Sequence, residues 1–598
     1  MPRQKDSERL KKRENEIKSA NRIYEDWEKK YKTSTLWKYY QGFQWEPGYE
    51  DSYTINKFSS TVHVQESSIL FHYPRVIVKP RPNRIDDPGT EVEKRAQLRE
   101  DTVNTFIQNR RLHFKHETNL ALREAFARFG VVEVGYSADF VDNPDKGKPV
   151  TGEDGQAVKD DYGQDMLQPE QLIENEGLFI KRIPANRFRI SMNNSNILSR
   201  CDWCGYYEWH YPADLKANPR YKNTASLKVS AQVSEEYAPT IADEDERERE
   251  AHKHMVKVWK IWDIRDKSRC VFVEGMDKYL LEEKLDRWDD GSPIIPFSVF
   301  RFTEDLDQFY PIPPMFNWVS PQNELNETRE MMRQYRRKMV LKYYAVDGVS
   351  PDEVKKFLEP VMQVVMVPRP DSIGPITNPP ADAALLRSLP PTNEDFREIT
   401  GTGGEQRGIA EADTATQANI IDQNAKIRES SNRILVSDWL GEIAKLMLIT
   451  LEKRMALPFW IQTNVDIGSP YAPMEAAGIA QTWKQITTQD LGSLDYDVSV
   501  DVESIAPTTE SQERNSWVQL LSIIQQPGSM AILANDVLLR KTLGYFGIKN
   551  EKEIQAIQQY SQVLMMMQAQ AAAGPAGGGA PGGGASGGSP QLPPGPVN

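Results

Sequence analysis

Residues 414 to 451 read Thr414-Ala-Thr-Gln-Ala-Asn-Ile-Ile-Asp-Gln-Asn-Ala-Lys-Ile-Arg-Glu-Ser-Ser-Asn-Arg-Ile-Leu-Val-Ser-Asp-Trp-Leu-Gly-Glu-Ile-Ala-Lys-Leu-Met-Leu-Ile-Thr-Leu451. Thr414-x-x-Gln417 is a capping box: the Thr hydroxyl and the Gln side chain each satisfy a backbone N–H that the first helical turn leaves open. No proline or strong stop follows until Pro458, which predicts a helix of about 44 residues and, at 1.5 Å per residue, about 65 Å. Its first half is polar (Gln417, Asn419, Gln423, Asn424, Ser430, Ser431, Asn432), with Ile420, Ile427 and Ile434 recurring every seven positions; its second half is apolar (Trp439, Leu440, Ile443, Leu446, Met447, Leu451). One end is built for a core. The other is built to be covered by partner subunits.

Working upstream, Gly401-Thr-Gly-Gly-Glu-Gln-Arg-Gly408 reads as a flexible loop. It lacks the lysine and the preceding strand of a phosphate-cradling loop. Thr392 is placed to cap a short helix ending at Thr400. Residues 345–391 form a compact insert with a helix at 352–358, a strand at Met362-Gln-Val-Val-Met-Val367 and proline-rich turns. Before the insert, Ser320 as N-cap and Pro321 in the first turn open another helix. Leu325, Thr328, Met332, Tyr335 and Met339 make one stripe of it, and Arg329, Arg333, Arg336 and Arg337 a neighbouring one. From 321 to 344 there are six Lys/Arg, Lys338 among them, against three acids. Such a helix carries surface charge and intersubunit ion pairs, or it touches a phosphate backbone, which needs cations on one face and no base-reading groups.

Residues 3–40 read as a charged helix, with eleven Lys/Arg and seven Asp/Glu in the first 33 residues, closing on the aromatic cluster Trp37, Tyr39, Tyr40, Phe43 and Trp45; the aromatics suit docking on a core. A helix and a short strand (Arg75-Val-Ile-Val-Lys79) follow at 53–79, then two helices at 91–129 stopped by Gly130, a strand at 131–136 and a long exposed insertion at 141–176. Strands dominate 178–301, with a hairpin turn at Asp266-Lys-Ser-Arg269 and a solvated charge run at 243–250. A strand at 495–502 and helices from 508 to 570 come last, and the Gly/Pro-rich end, 571–598, is expected to be disordered.

Composition narrows the function. The chain has 598 residues and a net charge of −13, so a generic basic nucleic-acid coat is excluded. Three cysteines are too few for a disulfide framework. The apolar runs are too short to span a bilayer, and the charged start predicts no signal peptide. No His-Glu-x-x-His motif is present, and no Gly-x-Ser-x-Gly elbow outside the Gly/Pro-rich end, so no enzyme, cofactor or metal is expected. Two alternatives are weighed against that. Cys201-x-x-Cys204 has metal-ligand spacing, but His252 and His254 do not complete a zinc pattern, which favours plain strand cysteines. Asp495, Asp497 and Asp501 are candidates for a carboxylate metal cluster; the alternation that puts Asp495 and Asp497 on one face with valines opposite favours a solvated face.

The order of these segments resembles the portal proteins (head–tail connectors) of tailed bacteriophages, over residues 30 to 570. The resemblance rests on Tyr39-Tyr-Gln-Gly-Phe-Gln-Trp45, on Tyr53-Thr-Ile-Asn-Lys-Phe58 with a helix ending in Tyr-Pro-Arg-Val, on Pro321-Gln-Asn-Glu-Leu-Asn326, and on Thr400-Gly-x-Gly-Gly-Glu-Gln-Arg-Gly408 followed by Asp413-Thr-Ala-Thr416. It assigns no role to the N-terminal arm (1–39) or the Gly/Pro-rich end. It implies an α+β portal fold. The wing is 40–319, with a return at 458–507; the stem helices are 320–344 and 391–400, with the clip at 345–390 between them. The tunnel loop is 401–412, the long spine helix 413–457 and the helical crown 508–570. It also implies a homo-oligomeric ring, a dodecamer, at one capsid vertex of the virion, assembled in the host cytoplasm, with double-stranded DNA passing non-specifically through its channel. Arg329, Arg333, Arg336, Arg337, Lys338, Gly401, Gly403, Gly404, Glu405, Gln406, Arg407 and Gly408 become channel candidates, and Asp352, Lys355, Lys356 and Gln363 clip-docking candidates. The implied partners are the terminase motor, the head–tail adaptor and the major capsid or scaffolding protein, with no membrane. The rival readings are another virion neck or connector protein, or a metal-dependent DNA-processing enzyme using the three aspartates.

Overall fold

Leu10, Arg13, Ile17, Ala20, Tyr24, Trp27 and Tyr31 recur at steps of three and four, and all are buried along one face of α1 (Asp6–Tyr31). The computed structural model describes residues 6–46, 48–49, 51–70, 72–81, 89–149, 171–191, 196–227, 255–288, 291–338, 342–359, 365–376, 383–401, 415–463, 482–491 and 496–505. The chain divides into two compact units, Met1–Ser469 with Ala480–Pro507, and Pro470–Ile479 with Thr508–Asn598; all described residues belong to the first. The single helix expected over 3–40 is two, because Lys32 takes a left-handed φ of 49° between α1 and α2 (Thr33–Gln41). Gly42 closes α2 at φ 98°, a conformation that side chains rarely adopt.

α3 (Lys57–Ile69) is capped by Asn56, whose side chain accepts the Ser59 N–H at 3.1 Å. β1 (Val76–Pro80), α4 (Gly89–Gln108) and α5 (Phe114–Ala127) follow. β2 (Gly130–Asp142) pairs antiparallel with β3 (Gln171–Arg182). This hairpin reaches into the segment expected as an exposed insertion. Phe140 and Val141 pair with Ile173 and Leu172, because backbone pairing continues where the Asp- and Gln-rich composition reads as loop. Five antiparallel strands then stand in sequence order: β4 (Phe188–Ile190), β5 (Trp203–His210), with α6 (Pro212–Ala217) after it, β6 (Val256–Asp263), β7 (Ser268–Val273) and β8 (Leu281–Lys284). The expected turn between β6 and β7 is present, with Lys267 at φ 51°. α1 lies on this sheet, its Leu10 and Ile17 against Trp203, Trp259 and Phe272, and its Tyr24 and Trp27 against Phe129, Phe188 and Tyr310. β9 (Phe297–Phe300) pairs with β2.

The next helix, α7 (Val319–Lys338), continues directly from a 3-10 turn at Pro314–Trp318. Ser320 is therefore inside its first turn, not its N-cap: buried Met315 and Trp318 anchor the start one residue earlier. α7 ends at Lys338, short of the expected 344, because β10 (Lys342–Ala345) pairs with β11 (Ile373–Ile376) around α8 (Pro351–Leu358). Residues 365–367 of the expected strand are irregular, and 362–364 lie outside the described residues. α9 (Ala383–Thr400) begins well before Thr392. Pro390 and Pro391, which read as a helix stop, sit inside it, where the Thr392 hydroxyl donates to Ser388 O (2.9 Å) and Asn393 Nδ2 to Leu389 O (2.8 Å).

The long helix expected from residue 414 is α10 (Ala415–Arg454), which runs for 40 residues, about 60 Å. Thr414 lies outside the described residues. Val436, Trp439, Leu440, Ile443, Met447 and Leu448 pack on Val132, Val134, Phe300, Ala121 and Leu122 in the largest core, each large side chain worth about 1.5–3 kcal/mol of burial. β12 (Phe459–Thr463) and β13 (Thr482–Ile486) form a ribbon, and after α11 (Thr488–Leu491) β14 (Tyr496–Val500) pairs antiparallel with β1. The architecture is mixed α+β. The 243–250 charge run, the 402–412 loop and everything from 506 onward lie outside the described residues. No described helix is long and apolar enough to cross a membrane.

Candidate stem and clip site

One face of α7 is amide rather than apolar. Gln322 and Asn326, four residues apart and so on one face, are 0% and 2% exposed. Gln322 Nε2 donates to Ile55 O (2.7 Å) and to Asn326 Oδ1 (3.1 Å). Asn326 Nδ2 donates to Gln44 Oε1 (2.6 Å), and Asn326 Oδ1 accepts the Ile55 N–H (3.1 Å). Gln44 Nε2 donates to Tyr39 O and Asn56 Oδ1, while Asn56 Nδ2 donates to Tyr40 O. The Tyr39 hydroxyl donates to Asn323 Oδ1 at 2.7 Å. The segments 39–45, 53–58 and 321–326, far apart in the chain, thus meet in one amide network. Gln44, Asn56, Gln322 and Asn326 stand in the sequence segments that carry the resemblance, but no contact between them was expected; the i, i+4 amide pair in an otherwise amphipathic helix was the available signal.

This network sets the arginines apart. Arg333 Nη1 donates to Asp51 O (2.8 Å) and lies 3.4 Å from Glu330. Arg329 sits over the Tyr53 ring, 6.0 Å from its centroid. Glu330 accepts the Tyr53 N–H at 2.7 Å, and that hydrogen bond holds its carboxyl below the usual range. Arg329 and Arg333 are therefore engaged within the chain, whereas Arg336 and Arg337, one turn further, are exposed. Lys338 is the last residue of α7. α9 packs beside α7, and its Phe396 shares a cluster with Trp318 and Phe58. Gly401 ends α9 at φ 69°, its N–H donating to Arg397 O at 2.8 Å. Gly403, Gly404, Glu405, Gln406, Arg407 and Gly408 lie outside the described residues.

In the insert, Ser350 caps α8, and none of the helix residues is buried. Asp352 and Lys355 are exposed. Lys356 donates to Glu353 Oε1 (2.8 Å), and Glu353 also accepts the Met366 N–H (2.9 Å); these bonds hold the Glu353 carboxyl low and the Lys356 ammonium high. Gln363 lies outside the described residues.

The metal candidates resolve differently. Cys201 and Cys204 are buried free thiols, and burial followed by the Cys201 thiol pushes Cys204 well up, leaving it an unreactive strand residue. Asp497 on β14 pairs with Arg81 at 2.6 Å, and the Asp501 N–H is bonded to Arg75 O; Asp495 lies outside the described residues. Among the described residues no group of three His, Cys, Asp or Glu side chains is gathered as for a metal ion. No family model matches the chain, and no curated protein matches it.

Proposed function

We propose that the chain is the subunit of a phage portal: a homo-oligomeric ring, taken as twelve copies, that forms a channel for double-stranded DNA at a capsid vertex and docks terminase and the head–tail adaptor. The observation that supports this best is the amide network. The three segments that carry the portal resemblance at the start of the chain and at the stem helix are bonded to each other through their own signature polar residues, as parts of one device are. In this reading α7 and α9 are the stem, 345–390 the clip and α10 the spine. Arg336 and Arg337, exposed at the end of α7, supply the cations that face DNA or the adjacent stem. Arg333 positions α7 against residues 51–53. Multiplied around a ring, a stem excess of positive charge becomes a belt, while the acidic remainder repels DNA and favours sliding over gripping. The resemblance makes residues 403–408, which lie outside the described residues, the candidates for the channel's narrowest point.

Imaging the purified protein by negative stain tests the reading. Rings with a central hole are expected. A population that stays monomeric at micromolar concentration overturns it.

A further inference from the structure

The outer face of the β12–β13 ribbon has no part in the portal reading. The register pairs Trp460 with Gln485 and Gln462 with Trp483. Alternation then puts Phe459, Ile461 and Ile486 on one face, buried with Leu451 and Leu491. The other face carries both tryptophans, 58% and 59% exposed, although Trp is on average among the well-buried residues. With Thr105, Phe106, Gln108 and Asn109 at the end of α4 they wall a cleft of about 370 Å³ with no carboxylate among the described residues that line it. From Asn109 the chain passes straight into Arg110 and Arg111, both exposed. The turn that carries them is fixed: Asn109 Oδ1 accepts the Arg111 N–H at 3.0 Å, and Leu112 is buried beneath.

We infer that this face binds single-stranded nucleic acid. Unpaired bases stack on Trp460 and Trp483, and the backbone phosphates meet Arg110 and Arg111. Open aromatic platforms beside cations are the two ingredients of such sites, since every base offers a π-face and every linkage a charge. The amides of Gln108 and Gln485 add donors and acceptors for base edges. A duplex is disfavoured here because its bases are already stacked on one another. A neutral saccharide would use the indoles and leave the arginines idle; a polyanion without bases would do the reverse. The site is separate from α7 and stands or falls independently of the ring.

The test is fluorescence anisotropy of the full chain with labelled oligo(dT) of about twelve nucleotides, within the span such sites cover. Binding that weakens as salt rises is expected. W460A and W483A should each cost about tenfold or more in affinity, W460F and W483F much less, and R110Q/R111Q should lower affinity and flatten the salt dependence. A duplex of equal length should bind more weakly. The Phe variants and R110Q/R111Q keep the test decisive if an alanine variant melts early. The inference is overturned by no binding at tens of micromolar, or by binding indifferent to the Trp and Arg changes. It is equally overturned by equal affinity for the duplex, or by cellohexaose or a proline-rich peptide occupying the tryptophans in place of oligo(dT).

Discussion

Glu133 on β2 and Glu208 on β5 share neighbours and respond in opposite directions. Burial pushes the Glu133 carboxyl up, more than the Tyr206 hydroxyl at 2.7 Å and the charge of Lys260 pull it down. Burial also pushes Glu208 up, but His210, Lys260 and Lys181 together outweigh it and hold the carboxyl far below its ordinary range. The consequences for stability have opposite signs. For Glu133 the unfolded chain ionises first as pH rises, so stability is intact below the ordinary carboxyl pKa and declines above it. Glu133→Gln should raise the urea midpoint at about pH 7 and leave it nearly unchanged at about pH 4. For Glu208 stability is full above the ordinary carboxyl pKa and is lost as pH falls through it toward the native value. Glu208→Gln should cost about 2–3 kcal/mol at neutral pH and flatten the acid limb of the stability curve. Both are read from denaturation curves across pH. The sequence marks neither residue, because a glutamate in an alternating strand looks alike whether it faces water or a lysine.

At the scale of elements, the N-terminal arm is the clearest gain. It reads as a charged helix with an aromatic anchor at its end, but burial extends along the whole of α1. Arg13 reaches Asp263, which is 0% exposed and also accepts the Asp266 N–H at 2.7 Å; Trp27 Nε1 donates to Pro311 O at 2.8 Å. Asp263→Ala strips the buried Arg13 guanidinium of one of its two carboxylates, leaving only Glu16 at 2.7 Å, and orphans the Asp266 N–H; it should cost about 2–3 kcal/mol in chemical denaturation. Deleting α1 uncovers Trp203, Trp259 and Phe272, and the truncated chain should bind a hydrophobic dye and aggregate where the full chain does not. α7 depends on its amide network in a similar way. Asn326→Ala orphans Gln44 Oε1 and the Ile55 N–H, for an expected loss of about 2–3 kcal/mol, measured by the shift in denaturation midpoint.

For the whole molecule, the α7 arginines separate assembly from folding. Arg333→Gln removes a bond to Asp51 O and should lower stability by about 0.5–1 kcal/mol. R336Q/R337Q breaks no hydrogen bond or ion pair among the described residues, only the charge interaction of Arg337 with Glu330, and should leave the melting temperature nearly unchanged. In the portal reading it should reduce DNA packaging or ring yield. Unchanged packaging and unchanged rings together would remove these residues from the channel. The spine bears on the same question. Its second half is buried within one chain, while Ile434 and Leu435 at the transition are 50% and 40% exposed, consistent with a helix that continues toward neighbours.

Local signals are legible in this sequence. Periodicity located α4, α5 and α7, charge located α1, and a capping box with no stop before Pro458 located α10; β-branched and aromatic residues located β5, β6, β7 and β9; a turn located the β6–β7 hairpin. Where an element ends against another element, local reading failed. Pro390 and Pro391 are accommodated inside α9, Ser320 is overridden by the anchored turn before it, and β2 and β3 extend by pairing with each other. The candidate site divides in the same way. The basic stripe of α7 follows from spacing alone, but which arginines are held and which are open depends on residues 44–56, more than 260 positions away. Composition and periodicity are properties of neighbours in the chain, so the sequence by itself determined the succession of helices and strands and the basic charge of α7. Burial, hydrogen-bond partners and the open face of Trp460 and Trp483 arise between segments that only folding brings together, and the tertiary structure alone decided them.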